Sequence, residues 1–223
     1  MRSEAADDRA AELSEVSASW ARVFAAFYGP VIWAGELAGM RGLRRRLLAR
    51  SRGRTLELGA GTGLNVAHYP AALESLTLAE PELAMRVRLE RTLRRLGREA
   101  RVIDAPAERL PFEDDSIDTV VATLVLCTVS DLERSLREIA RVLRADGQLL
   151  LIEHVRAHEP WLARLQDAVH GPWKSFAAGC HCNRQTAEAL GAAGYELALD
   201  EVSWRLMPPI IRPLIVGRAA PPA

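Results

Sequence analysis

An apolar strand that delivers an acidic residue and then three alternate glycines into a turn constrains this chain more than any other stretch. It reads Thr55-Leu56-Glu57-Leu58-Gly59-Ala60-Gly61-Thr62-Gly63-Leu64-Asn65. Glycines at this spacing let backbone pass close to a ligand, because nothing projects from it, and a helix opening behind the turn would offer its amides to that ligand. Ser75-Leu76-Thr77-Leu78-Ala79 reads as a second strand and ends on Glu80, followed by Pro81. An acidic residue about twenty positions after such a turn is placed to accept hydrogen bonds from a ribose diol. The pattern therefore calls for a ribose-bearing cofactor.

A dinucleotide fingerprint needs a third small residue for close helix packing, and that slot here is Leu64, which disfavours NAD and FAD. Glu57-x-Gly59-x-Gly61-x-Gly63 instead resembles the first motif of the class I S-adenosylmethionine-dependent methyltransferases. The resemblance implies that Glu57, Gly59, Ala60, Gly61, Gly63 and Asn65 lie against the amino-acid and ribose portion of the cofactor, with Glu80 and Pro81 at its ribose.

Further along, the hydrophobic pattern alternates strands with helices. Residues 82–96 read as a helix closed by Gly97, 101–104 as a short strand, and 119–126 as an apolar strand suited to the centre of a parallel sheet. Ser130-Asp131-Leu132-Glu133 reads as a capping box opening the next helix, and Asp146-Gly147 as a turn into a strand over 148–153. Asn183 is the expected cap of a helix running to Leu190, and 195–202 with 211–216 read as a closing antiparallel pair. Upstream, apolar spacing predicts one amphipathic helix over 10–27 and a second over 34–50. In the second, Leu37, Met40, Leu43, Leu47 and Leu48 face inward, and its arginines form a solvated surface.

The segment from Ala107-Glu108 through Leu110-Pro111-Phe112 and Ser116-Ile117-Asp118 to the Arg141–Gly147 turn is similar to the ubiquinone/menaquinone-biosynthesis type of class I methyltransferase. That likeness places Ala107 and Glu108 beside the adenine, and Thr123 and Leu124 on the flank of the cofactor. Pro106 stands where relatives carry Asp or Asn, which removes a side-chain hydrogen bond to the adenine amine. From Leu124 onward the motifs narrow. Leu124 to Val129, Glu153-His154-Val155, Pro172-Trp173, Gly179-Cys180-His181-x-Asn183-Arg184 and Ser203-Trp204 resemble the methyltransferase-like protein 7 group, whose animal members are alkyl-thiol S-methyltransferases with a membrane-anchoring N-terminal segment. The implied architecture is α/β, a Rossmann-like seven-stranded class I methyltransferase fold. An N-terminal helical cap would occupy 1–50 and the methyltransferase domain 51–223, with a lid insertion at about 156–183.

Charge and composition narrow the partners. The 223 residues hold 29 basic and 29 acidic side chains, so no broad basic field exists to neutralise a nucleic acid. Lys174 is the single lysine, a codon mark of a GC-rich bacterial genome. No apolar leader or run of membrane-spanning length appears, and three irregularly placed cysteines fit a reducing compartment, so a cytoplasmic protein without stable membrane insertion is expected. Cys180-His181-Cys182 lacks a fourth ligand and the usual zinc spacing, and no metal is expected there. Cys127 and Cys180 read as apolar packing residues.

The expected reaction is methyl transfer from S-adenosylmethionine to a small-molecule acceptor, with a thiol in first place. A thiol is already partly ionised at neutral pH and so makes the weakest demand for a catalytic base. His154 is the candidate proton acceptor, with His181 second. Tyr28, Trp173, Cys180, His181 and Arg184 are the acceptor-side candidates, Arg184 serving either to steer an anion or to tie the insertion to the core. Carbon, nitrogen or oxygen methylation of a quinone precursor, natural product or phospholipid head group is the alternative chemistry. A cofactor-binding sensor or scaffold is the alternative without catalysis.

Overall fold

The computed structural model describes residues 35–177 and 179–222. The expected 10–27 helix and Tyr28 lie outside the described residues. Seven strands form one sheet: β1 (Arg54–Leu58), β2 (Ser75–Ala79), β3 (Arg101–Ile103), β4 (Ile117–Thr123), β5 (Leu143–His154), β6 (Glu196–Ser203) and β7 (Pro213–Ala220), in the spatial order β3-β2-β1-β4-β5-β7-β6. The first five pair in parallel, and β7 runs antiparallel to both β5 and β6. The chain leaves β1 towards one edge and returns at β4 to build the other. The carboxyl ends of β1 and β4 therefore flank a switch point, where open α/β sheets bind ligands.

Alternation along the strands divides the core. Leu56, Leu58, Val120, Ala122, Leu149 and Leu151 pack on one face with Leu136 and Ile139 of α3 (Leu132–Val142) and Leu190 of α5 (Thr186–Ala192). On the other face, Leu78, Val121, Leu150 and Ile152 pack with Leu47 and Leu48 of α1 (Arg41–Leu48) and Leu89 and Leu93 of α2 (Leu83–Leu96). A fully buried leucine contributes roughly 1.5–3 kcal/mol, so these apolar rows hold the layers together and leave polar groups to the strand ends.

Several local expectations change. The glycine turn does not open a helix: it runs into a single 3-10 turn, Val66–His68, and the chain is extended at Tyr69, as the residue before Pro70 prefers. Asp131, not Ser130, caps α3, its carboxylate accepting from the Arg134 amide at 2.9 Å. Asn183 caps nothing: its Nδ2 donates to Asp167 at 2.9 Å, and α5 starts after Gln185 without a side-chain cap. The 34–50 helix is broken at Gly39 (φ 113°), with a π turn over Glu36–Met40 before α1. That break turns Leu37 outward, 63% exposed, against the inward position its spacing predicted. β5 begins at Leu143, five residues earlier than expected, because Leu143 pairs with Ile117 across a register shift.

Candidate cofactor and acceptor site

All three turn glycines adopt left-handed backbone, with φ of 56°, 55° and 86° at Gly59, Gly61 and Gly63. Their surroundings differ. A Cβ at Gly59 would meet Val125 Cγ2 at 2.4 Å, and one at Gly63 would meet Leu89 Cδ1 at 2.8 Å, so both are close-packing glycines. Among the described residues, a Cβ at Gly61 would find only the Gly59 carbonyl, at 3.9 Å. The open side of Gly61 is a cradle with room for a ligand, and the Gly61 amide meets Glu80 Oε2 at 2.8 Å beside it. The other oxygen of Glu80 accepts from the Glu82 amide at 2.9 Å, which fixes the carboxylate at the tip of β2. This open glycine beside a positioned carboxylate fits the amino-acid and ribose portion of S-adenosylmethionine.

Beneath the turn lies a buried polar network that the sequence left unassembled. Glu57 accepts from Asn65 Nδ2 and from the Tyr69 hydroxyl, both at 2.8 Å. Asn65 Nδ2 also donates to Thr123 Oγ1 at 2.9 Å, joining the turn to the end of β4. Arg44, only 4% exposed, donates to Asn65 Oδ1 at 2.8 Å and Thr123 Oγ1 at 3.1 Å, and pairs with Glu36 at 2.9 Å. Glu57, Asn65 and Thr123 thus spend their side chains on one another and support the turn from below. Arg44 and Tyr69 are members of this network that sequence reasoning missed. The helical spacing of Met40, Arg44, Leu47 and Leu48 is the signal that could have turned Arg44 inward.

Burial pushes the Glu57 carboxyl up to about 7, against the opposing hydrogen bonds of Tyr69 and Asn65. Because this folded-state value lies above the ordinary 4.5, the native protein binds more protons than the unfolded chain between those two limits. The contribution to stability is fully present below pH 4.5 and is lost as pH rises through 7, by ~3 kcal/mol at most. The cofactor-free protein is expected to unfold at lower denaturant at pH 8 than at pH 5. In Glu57→Gln that slope is expected to flatten; an unchanged slope would assign the pH dependence to another group.

Ala107 is buried, and Glu108 Oε1 accepts from the Ser130 amide at 2.8 Å and the Asp131 amide at 3.3 Å. Glu108 thereby holds the approach to α3. Pro81 is exposed beside Glu80, and Leu124 takes a left-handed φ of 57° at the exit of β4. Strain of this kind at a strand end concentrates at functional sites.

A second cluster lies at the ends of β4 and β5. Glu153, fully buried, accepts from the amides of Val125 (2.9 Å), Leu126 (2.8 Å) and Cys127 (3.3 Å). Burial nonetheless holds its carboxyl above the ordinary value. His154 turns Nε2 towards Cys180 Sγ at 3.3 Å and Cys127 Sγ at 3.5 Å, and its buried Nδ1 has no partner among the described residues. Trp173 Nε1, from α4 (Pro160–Phe176), donates to Cys180 Sγ at 3.2 Å. Hydrogen bonds from Cys127 and His154 hold the Cys180 thiol down to about 4, while Cys127 is pushed well up by its contact with Cys180 and by burial. Burial opposes protonation of His154, but its hydrogen bond to Cys180 raises it.

The acceptor-side candidates separate. Trp173 and Cys180 join this cluster. His181 contacts His170 instead, at 2.9 Å, and burial brings its imidazole down to about 4. Arg184 ties the insertion to the core, its guanidinium donating to the Val129 carbonyl at 3.0 Å and to that of Leu126. Cys182 packs against α4 and takes no part. Two broad surface grooves, of about 600 and 740 Å³, lie over α2 and the β2–β3 edge, and neither is lined by the turn or by Glu80.

A methyltransferase-domain family profile matches residues 56–151, which runs from within β1 through most of β5. The human thiol S-methyltransferase TMT1A is 35% identical over 169 residues, covering 74% of this chain and 69% of its own. The ubiquinone/menaquinone biosynthesis C-methyltransferase UbiE of Bartonella tribocorum is 37% identical over 65 residues, 29% of this chain and 25% of its own. In fold, the chain resembles a solved S-adenosylmethionine-dependent methyltransferase of Thermotoga maritima, described as a possible histamine N-methyltransferase. The TM-score is 0.65 at 22% identity, over 89% of this chain and 96% of that one. Sheet order, glycine cradle and acidic strand end together define a class I S-adenosylmethionine-dependent methyltransferase. Within that class, this chain belongs to the family that includes TMT1A.

Proposed function

We propose that the chain is a bacterial cytoplasmic methyltransferase acting on the sulfur of a small thiol. The 35% likeness to TMT1A, which extends beyond the shared methyltransferase core, carries this reading. Chemistry supports it. Bound S-adenosylmethionine supplies a methyl group already attached to a good leaving group, so the protein must mainly position and dehydrate the reactants. The open side of Gly61 would take the amino-acid and ribose portion, Glu80 would accept from the ribose hydroxyls, and backbone around Ala107 would meet the adenine. The supporting network of Glu57, Asn65, Thr123 and Arg44 would hold that cradle in shape. The segment at about 156–183 would form a lid over the acceptor. No helix among the described residues is long and apolar enough to cross a membrane.

The test is turnover of S-adenosylmethionine to S-adenosylhomocysteine, comparing a small alkyl or aryl thiol with matched phenol, amine and detergent-dispersed lipid acceptors. Thiol-dependent turnover is expected. Glu80→Ala is expected to weaken cofactor binding by ~100-fold, the worth of two hydrogen bonds to a charged group. Cofactor binding without thiol turnover would reject the acceptor assignment, and lipid turnover would replace it.

A further inference from the structure

The side chains of Cys127, His154 and Cys180 bring two sulfurs and an imidazole nitrogen together, all within 4.8 Å of one another and all buried. They come from separate elements: the loop after β4, the end of β5, and the segment after α4. Each is locked. Glu153 grips the amides of the Cys127 loop, the Cys127 carbonyl accepts from the His181 amide at 2.8 Å, and His154 is paired with Leu214 in the sheet. One imidazole hydrogen cannot satisfy two sulfurs at once, whereas a single cation would engage all three lone pairs. Bond lengths of about 2.3 Å to sulfur and about 2.0 Å to nitrogen in a tetrahedron set ligand nitrogen and sulfur ~3.5 Å apart. The observed separations from His154 Nε2 are 3.3 and 3.5 Å. The Trp173 N–H on Cys180 is the outer-shell hydrogen bond that a metal-bound thiolate uses.

We propose that Cys127, His154 and Cys180 bind a zinc ion and leave its fourth position for the sulfur of the acceptor. The three-ligand Cys2His set with an open position belongs to catalytic rather than structural zinc. Its use for the acceptor rests on the thiol reading above. The acceptor thiol gives its proton to solvent as its sulfur enters the fourth position. Its electron pair then forms the new sulfur–carbon bond, while the methyl–sulfonium bond breaks and leaves its pair on the departing S-adenosylhomocysteine sulfur. Zinc changes no oxidation state. His154 is then a ligand, in place of the proton-acceptor role expected from sequence, and the metal triple is not the Cys180-His181-Cys182 run.

Purified full chain is expected to carry about one zinc per chain through gel filtration. Cobalt(II) replacement should give thiolate-to-cobalt absorption that shifts on addition of the acceptor thiol. Cys127→Ser and Cys180→Ser should lose both metal and absorption, whereas Cys182→Ser, a buried cysteine outside the cluster, should keep them. Where a variant fails to fold, cobalt titration of the unaltered protein decides. Absence of zinc and of any thiolate–cobalt absorption in the unaltered protein overturns the site. Undiminished thiol turnover by zinc-free protein overturns the acceptor's coordination while leaving thiol methylation standing. Bound zinc with no thiol turnover keeps the metal, removes the acceptor role, and rejects the proposed function on separate grounds.

Discussion

Gly61→Ala is expected to weaken cofactor binding by ~100-fold while lowering stability by only ~1 kcal/mol, the strain of left-handed backbone with a side chain. Its added methyl enters the open cradle and, among the described residues, touches no atom closer than the Gly59 carbonyl at 3.9 Å. The neighbouring glycines should behave in the opposite sense. Gly59→Ala drives a methyl to 2.4 Å from Val125 Cγ2, and Gly63→Ala drives one to 2.8 Å from Leu89 Cδ1, so both must overpack the core. Each is expected to lose ~3 kcal/mol of stability from combined strain and crowding. Calorimetric titration with S-adenosylhomocysteine, beside urea unfolding of the same samples, separates the two effects. Wild-type affinity in Gly61→Ala would show that the cofactor lies elsewhere.

Arg44→Met is expected to destabilise the protein by ~3–5 kcal/mol, the usual consequence of removing one partner from a buried charged network. Methionine keeps much of the volume but none of the donors. Glu36, its side chain 14% exposed, would lose its ion-pair partner, and Asn65 Oδ1 would lose a donor at 2.8 Å. The damage should reach function, because Asn65 and Thr123 link the glycine turn to the end of β4 through the same guanidinium. Arg44→Lys, with one compact ammonium in place of a planar fork, should recover only part of the loss. A urea unfolding change below ~1 kcal/mol for Arg44→Met would mean that the network relaxes without its cation.

The two expectations rest on different kinds of information. Local sequence determined the glycine turn, the acid at the tip of β2, the order of strands and helices and the closing antiparallel pair. Each depends on backbone freedom or on apolar periodicity within a few residues. Motif resemblance then supplied the cofactor and the leading acceptor class. Polar partnerships were beyond that reach. Asn65 lies eight residues from Glu57, Arg44 reaches 79 positions along the chain to Thr123, and Cys127, His154 and Cys180 meet only where separate strand ends converge. Arg44 looked like one more surface arginine until packing assigned its partners. Hydrogen bonds and metal geometry depend on distances of tenths of an ångström across the fold. Tertiary structure therefore decided which glycine keeps an open side, which hydrogen bonds each carboxylate makes, and which sulfurs stand together.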